Sequence, residues 1–420
     1  MEVFKFGGLS TQDAPSVKRV TEIIRADRDK DLVLVFSAMG KTTRLLEKLI
    51  ASAFHHYKDV EEVLTQFVDY HKNIISELGI TNSDPGFDDI DTMFAEVRKR
   101  CLGSTGDDFD FFYDQVVVWG ELIASRIMSL YLNKTGIACR WVDIRTTLHT
   151  NDCFREGRVD WEKSLPMINK AFSNTDGNTA IHVTQGFIAT SRNGHNITLG
   201  LDGSDYSAAI IAYCLDASKV TIWKDVEGIM NADPRYFSDT VKFESLSYTD
   251  AIELAYYGAN VIHPKTIKPL QNKNIHLEVK SFLAPAKSGT VIRESSSKLL
   301  IPTFILKQSQ VMLNISSVDF SFIIEENLRD IFDVFSKFNV RVNMMHNTAL
   351  SFTVCIDTND QKLPLFIDAL KKQFNVTHQT GLELITIWHF DQATLHRTIS
   401  NKQVLVEIHS GDVAQIIVKP

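Results

Sequence analysis

Apolar positions in the opening stretch change period twice. Residues 2–6 (EVFKF) set two phenylalanines around a lone lysine and run into Gly7 and Gly8, which predicts a short strand ending in a glycine turn. Val17, Val20, Ile23 and Ile24 then recur at helical spacing behind Pro15, a residue suited to a helix's first turn. Residues 31–36 form the near-continuous apolar run expected of a parallel strand buried on both faces. Residues 43–135 keep a largely helical period, interrupted at 81–89 and 103–108. Strand-like runs return at 140–143, 180–184, 197–199, 220–223 and 276–281, alternating with helical or turn-like segments. That alternation predicts an α/β fold: a mostly parallel sheet covered by helices on both faces.

The grammar changes after Gly289. Strands at 311–318, 340–345, 350–356 and 382–388 enclose helices at 328–338 and 363–374. The order βαββαβ is a ferredoxin-like unit. The expected domains are therefore 1–295, an α/β unit with 43–135 largely helical, and 302–390, the smaller unit. Residues 391–420 add two strands, 403–409 and 414–418, too few for a second complete unit.

Candidate chemistry centres on 198–215, TLGLDGSDYSAAIIAYCL: a strand end, a turn with Gly200 and Gly203, and a helix with apolar Ala208, Ile211 and Leu215. Ser204 or Asp205 is the expected cap of that helix. Free amides and a partial positive charge at a helix start suit phosphate oxygens. Asp205 itself repels phosphate, but its carboxylate can steer a lysine or Mg²⁺ that binds one. Lys5, beside Gly7 and Gly8, is a cation suited to gripping a nucleotide phosphate. Gly40-Lys41-Thr42 is not a P-loop, because Val35 stands where the motif's first glycine belongs. It leaves Ser37, Ala38, Thr42 and Thr43 at the C-terminal end of a strand, where open α/β sheets bind ligands. Glu121 opens a helix after Trp119-Gly120, either as a dipole partner or to hold an ammonium group. Lys224, Asp225 and Gly228 follow a strand, Arg235 sits in a turn, and Asn260 follows a Tyr-Gly-Ala turn.

Composition narrows the partners. The 420 residues carry a net charge of −8, which argues against nucleic acid or an anionic membrane surface. No run approaches the ~20 apolar residues of a bilayer span, and no leader follows Met1, so the expected location is cytoplasmic. The five cysteines are scattered without metal-type spacing.

Taken together, KFGGLS at 5–10, SAMGKTTRLL at 37–46, WGE at 119–121, TQGFI at 184–188, TLGLDGSDYSAA at 198–209, WKDVEGIMNADPR at 223–235 and YGANVIHPKTI at 257–267 resemble the aspartate kinases of the amino acid kinase superfamily. The resemblance covers residues 2–295 in the correct order, and the C-terminal unit is similar to that family's ACT regulatory module. It implies an amino acid kinase fold, ATP with Mg²⁺, L-aspartate as acceptor, a homodimer or higher homo-oligomer, and an amino-acid effector at the ACT module. Lys5 and Asp205 match the catalytic positions. Gly7, Gly8, Ser204, Lys224, Asp225, Gly228, Arg235 and Asn260 match the nucleotide side; Ser37, Thr43, Glu121 and Gly203 match the acceptor side.

Three positions depart from the family pattern. Leu201 replaces the arginine of GRGGSD or GREGSD, Leu9 the threonine of KFGGTS, and Asn260 the lysine of YGAK. Losing a charge-assisted pair at Leu201 costs about 1.5–3 kcal/mol, roughly 10- to 150-fold in affinity. Arg44, Arg145 and Arg192 are candidates to replace that charge. Two alternatives therefore stand beside an aspartate kinase: a kinase of another small acid, and a degenerate kinase acting as a nucleotide and amino-acid sensor.

Overall fold

The computed structural model describes residues 1–420 apart from 174–179, 238, 260–261, 296–300, 320 and 359–361. The chain folds as two compact units. The first is Met1–Ile229, Lys242–Ala255 and Asn260–Ser297; the second is Met230–Val241, Tyr256–Ala259 and Lys298–Pro420. The expected boundaries lay near 295 and 390. The second unit instead draws in residues 230–241, because Asn231 accepts from Phe304 N at 2.7 Å and donates to Pro302 O at 3.0 Å. The Phe237 ring packs 5.2 Å from that of Phe304.

In the first unit, strands β1 (Glu2–Phe6), β2 (Leu32–Phe36), β3 (Arg140–Trp141), β4 (Ile181–Gln185), β7 (Lys219–Lys224), β8 (Ser245–Leu246), β9 (His276–Ser281) and β10 (Thr290–Ile292) form one sheet in the order β3-β4-β2-β1-β7-β9-β10-β8. Every neighbouring pair is parallel except β9–β10. All five residues of β2 are buried, as the apolar run predicts. The strand expected at 197–199 does not join this sheet: β5 (Ile188–Thr190) and β6 (Asn196–Thr198) make a separate antiparallel ribbon.

Helix α1 (Ala14–Ala26) is capped by Asp13, whose side chain accepts from Ser16 N. The helical stretch 43–135 resolves into α2 (Thr42–Phe54), α3 (Val60–Glu77), α4 (Asp88–Leu102), α5 (Phe109–Val117) and α6 (Trp119–Lys134). Two further breaks appear, one at Val118 between α5 and α6 and one after Phe54, where His56 adopts the left-handed conformation (φ 56°). Helices α7 (Trp161–Phe172), α8 (Gly203–Cys214), α9 (Tyr248–Tyr257) and α10 (Pro264–Asn272) complete this part of the chain.

The second unit holds a six-stranded antiparallel sheet. Strands β11 (Thr303–Ser317), β12 (Val342–Asn347), β13 (Ser351–Asp357) and β14 (Phe374–Trp388), with helices α11 (Glu325–Lys337) and α12 (Leu363–Leu370), realise the βαββαβ order. No break occurs at 390. Helix α13 (Gln392–Ile399), β15 (Gln403–Ser410) and β16 (Val413–Lys419) extend the same sheet, β16 pairing with the second half of β14. The long β11 and β14 shift register between Lys307 and Met312, and each half serves its own core. One core gathers Val311, Leu313, Phe335 and Phe366; the other gathers Ile385, Ile387, Leu395 and Ile416. Residues 391–420 thus continue the same sheet and contribute Leu395, Ala414, Ile416 and Val418 to the second core.

Candidate active site

Lysine 5 and aspartate 205 meet. The alternation of β1 sends Lys5 to the sheet face covered by α8, while Phe4 and Phe6 take the opposite face. There the Lys5 Nζ lies 2.6 Å from Asp205 Oδ1, with only 11% and 6% of the two side chains exposed. In so buried a setting, opposite charges at this separation attract far more strongly than they would in water. From the end of β7, Lys224 Nζ reaches the other oxygen of Asp205 at 4.0 Å. Burial alone would raise the Asp205 carboxyl. Lys5 first, then Lys224, overturn that and hold it below the usual carboxylate range.

The glycine turn after β1 packs against the turn after β2. A Cβ on Gly8 would come within 2.7 Å of both Ala38 O and Gly40 O, so only glycine fits. Ser37 N donates to Phe6 O at 3.1 Å, which fixes the ends of β1 and β2 side by side. Gly7 opens beside the lysine, its Cβ direction 3.6 Å from Lys5 Nζ. Thr43 is half-buried in the first turn of α2.

Neither Ser204 nor Asp205 caps α8, contrary to expectation. The helix starts at Gly203, so the cap position falls on Asp202 in the left-handed conformation (φ 53°), and no side chain caps it. The Asp205 carboxylate is committed to Lys5. Gly203 N donates to Gly200 O at 3.0 Å, and Ser207 Oγ ties α8 to the β4–β5 turn by accepting from Phe187 N at 2.9 Å. Ser204 packs against that turn: a Cβ on Gly186 would lie 2.6 Å from its own Cβ.

Glu121 lies in the first turn of α6 and is almost wholly buried. Its Oε1 accepts from Ala38 N at 3.3 Å, whereas Oε2 has no partner. Burial pushes its carboxyl up to about 8, against smaller lowering contributions from the Ala38 amide and Lys5. At neutral pH burial therefore favours the protonated form of Glu121. An ammonium group brought to Oε2 would favour the ionised form.

Other sequence candidates have different surroundings. Asp225 is exposed, and Gly228 (φ 152°) is a packing point, its Cβ direction 2.6 Å from Thr290 Oγ1. Arg235 belongs to the second unit, where Asp233 holds it at 2.5 Å. Asn260 lies outside the described residues. Arg145 is occupied by Asp143 at 2.6 Å and Asn196 at 2.9 Å.

Two residues escaped sequence reasoning. Asp114 accepts from Thr198 Oγ1 at 2.8 Å, Thr198 N at 3.1 Å and Arg155 N at 2.7 Å, anchoring the strand that leads into the glycine turn. Burial raises its carboxyl to about 6. An aspartate inside the apolar helix FDFFYDQVV was the available signal. Lys265, at the start of α10, places its Nζ 3.8 Å from the Cβ direction of Gly200. It is a cation at the turn where Leu201, 64% exposed, carries none.

The fold is an α/β protein with a mostly parallel sheet, and its site sets a first-strand lysine against an acid in the first turn of a helix. The model of the amino acid kinase family matches residues 1–281, and the chain belongs to that family. It is 28% identical to aspartokinase 1, chloroplastic, of Arabidopsis thaliana over 410 residues, covering 92% of this chain and 70% of the relative. It is 29% identical to bifunctional aspartokinase/homoserine dehydrogenase 2, chloroplastic, of the same plant, covering 90% of this chain. The chain spans only 42% of that bifunctional relative's length. Its fold matches E. coli aspartokinase III in complex with aspartate and ADP, with a TM-score of 0.83 at 24% identity over 100% of this chain and 96% of that one. Clostridium acetobutylicum aspartate kinase gives 0.77 at 23% identity, again over 100% and 96%. Among the described residues no helix is long and apolar enough to cross a membrane.

Proposed function

We propose that this chain transfers the terminal phosphoryl group of ATP to the side-chain carboxylate of L-aspartate, giving 4-phospho-L-aspartate and ADP. The observation that carries the reading is the cluster of Lys5 and Lys224 around buried Asp205 at the C-terminal ends of β1 and β7. The bond between the γ-phosphorus and its bridging oxygen breaks, and a carboxylate oxygen of aspartate takes its place on phosphorus. That oxygen is already ionised at neutral pH, since a free carboxylate titrates near ~4, so no general base is required. Catalysis then reduces to positioning and to offsetting charge on the migrating group. Lys5 and Lys224 supply the positive charge, and Asp205 holds the two ammonium groups around one point. Gly7 and Gly8 offer backbone amides, and Ser204 a hydroxyl at the start of α8.

On the acceptor side, Glu121 would hold the substrate ammonium through its unpartnered Oε2, with Ser37, Thr43 and Gly203 lining the pocket. Asp225, Gly228, Arg235 and Asn260 remain assigned to the nucleotide side by resemblance alone. Mg²⁺ is usually held by one or two carboxylates plus phosphate oxygens; with Oδ1 taken by Lys5 at 2.6 Å, Asp205 Oδ2 would be the oxygen that holds it. When bound it would offset phosphate charge. The names of the plant relatives and the aspartate and ADP in the E. coli structure support the same reading. Entry to lysine, threonine and methionine synthesis, a cytoplasmic location, a homodimer and an amino-acid effector at the second unit belong to this proposal.

One observation favours a second reading. Leu201 leaves the glycine turn without the family's arginine, which fits an acceptor other than aspartate. A coupled ADP-release assay across acidic amino acids separates the cases. Turnover with aspartate supports the proposal, turnover only with another acid supports the second reading, and nucleotide binding without turnover overturns both.

A further inference from the structure

The reverse side of the central sheet holds a cavity that phosphoryl chemistry does not use. Lys5 and Lys224 point toward α8, but the alternate residues of β1, β7 and β9 point the other way, toward α1. There Phe4, Thr221, Trp223 and Lys280 line a cavity of about 400 Å³ with Ile23 of α1 and Pro285. This is within the size range of small-molecule sites.

Its walls are incompletely satisfied. Trp223 and Thr221 are 4% and 1% exposed, and neither the indole Nε1 nor the Thr221 Oγ1 has a hydrogen-bond partner. Buried polar atoms are normally paired. An indole N–H can only donate, so its missing partner is an acceptor.

The charges around the rim are unequal in availability. Glu278 is paired with Lys219 at 3.3 Å, Glu22 with Arg25 at 3.3 Å, and Asp27 with Lys30 at 2.7 Å. Arg19 and Lys280 line the same cavity and make no ion pair among the described residues. Lys280 instead lays its Nζ 5.3 Å from the Trp223 ring centroid, a cation–π contact on a flexible stem that can swing to an anion. The unspent charge facing the cavity is positive.

We propose that this cavity is a second ligand site, taking a small aromatic acid. The ring packs on Phe4, Ile23 and Pro285, an acceptor on the ligand meets the Trp223 N–H, and the acidic group is held by Arg19 and Lys280. Phe4 and Trp223 are chain neighbours of Lys5 and Lys224, so an occupant would press on the phosphoryl site from behind. The proposal stands independently of which acid is phosphorylated.

Anilinonaphthalene sulfonate, an aromatic anion whose emission rises in apolar surroundings, is the probe, titrated onto the full-length protein. The expected result is binding with energy transfer from tryptophan, undiminished by saturating ATP. The double variant Arg19→Ala/Lys280→Ala should weaken it by at least about tenfold, or 1.4 kcal/mol. Ala286→Trp, which fills the mouth from an exposed loop, should abolish it. Both variants change residues at the cavity's rim, and unchanged melting curves check their folding. Absence of wild-type binding at millimolar probe, binding indifferent to both variants, or competitive displacement by ATP would each overturn the proposal.

Discussion

Two buried carboxylates of the first unit, Asp205 and Glu121, meet opposite fates. Both suffer the desolvation that favours the neutral acid. Asp205 has a lysine at 2.6 Å and a second at 4.0 Å, and stays ionised below the ordinary range. Glu121 feels Lys5 only weakly, keeps one oxygen unpartnered, and rises to about 8. The difference separates a permanent charge from a conditional one. Asp205 is part of the framework that holds two cations in place whether or not a ligand is present. Glu121 acquires its charge when a cation arrives, which is the behaviour expected of a group that recognises an ammonium.

The sharpest way to break this contrast is to remove the permanent charges. Lys5→Ala and Asp205→Ala should each lower kcat by about 10²- to 10³-fold with an unchanged circular dichroism spectrum. Wild-type turnover in either variant would reject their roles. Removing the conditional charge should act on binding instead. Glu121→Gln should raise the KM for aspartate by roughly 10- to 150-fold, the loss of a hydrogen bond to a charged group. Because Glu121 must shed its proton to hold an ammonium, the wild-type KM should fall as pH rises toward about 8, and Glu121→Gln should flatten that profile. A pH-independent wild-type KM would contradict the assignment.

A smaller effect is expected at the glycine turn. Leu201→Arg should lower the aspartate KM by about tenfold, the worth of one exposed-to-buried charged hydrogen bond. An unchanged KM would mean that the charge is already supplied, and Lys265→Ala should then raise it. The smallest signal is in stability. Folded Glu121 retains its proton up to about 8 while the ordinary value is 4.5. Between those values the folded state binds more protons than the unfolded one, so stability falls as pH rises through the window. Glu121→Gln should lessen that decline in denaturant midpoints taken across the same range, and an undiminished slope would assign it to other groups.

Much of this was legible along the chain. The period of 2–6 and 31–36, with a helix between, fixed the parallel pair at the centre of the sheet, and the βαββαβ order was readable from alternation alone. Lys5 and Asp205 stood out because a charge in an apolar strand and an acid after a glycine turn are each unusual. Their 2.6 Å contact is a product of pairing across 200 residues, which local pattern does not carry. The cap of α8 was misread for a local reason: Asp202 accepts a left-handed backbone and starts the helix before Ser204. The inclusion of 230–241 in the second unit was invisible because Asn231 reads as a turn residue until its partners Pro302 and Phe304 are in place. Glu121 was legible as a candidate but not as a neutral acid. Its protonation depends on a shell contributed by β1, the β2 turn and α6.

Crystals of the protein with L-aspartate and a non-hydrolysable ATP analogue test the central claim most directly. The account predicts the terminal phosphate within hydrogen-bond reach of both Lys5 Nζ and Lys224 Nζ, and the substrate ammonium on Glu121 Oε2. A phosphate seated in a cleft away from the two lysines, or an ammonium turned away from Glu121, would contradict it.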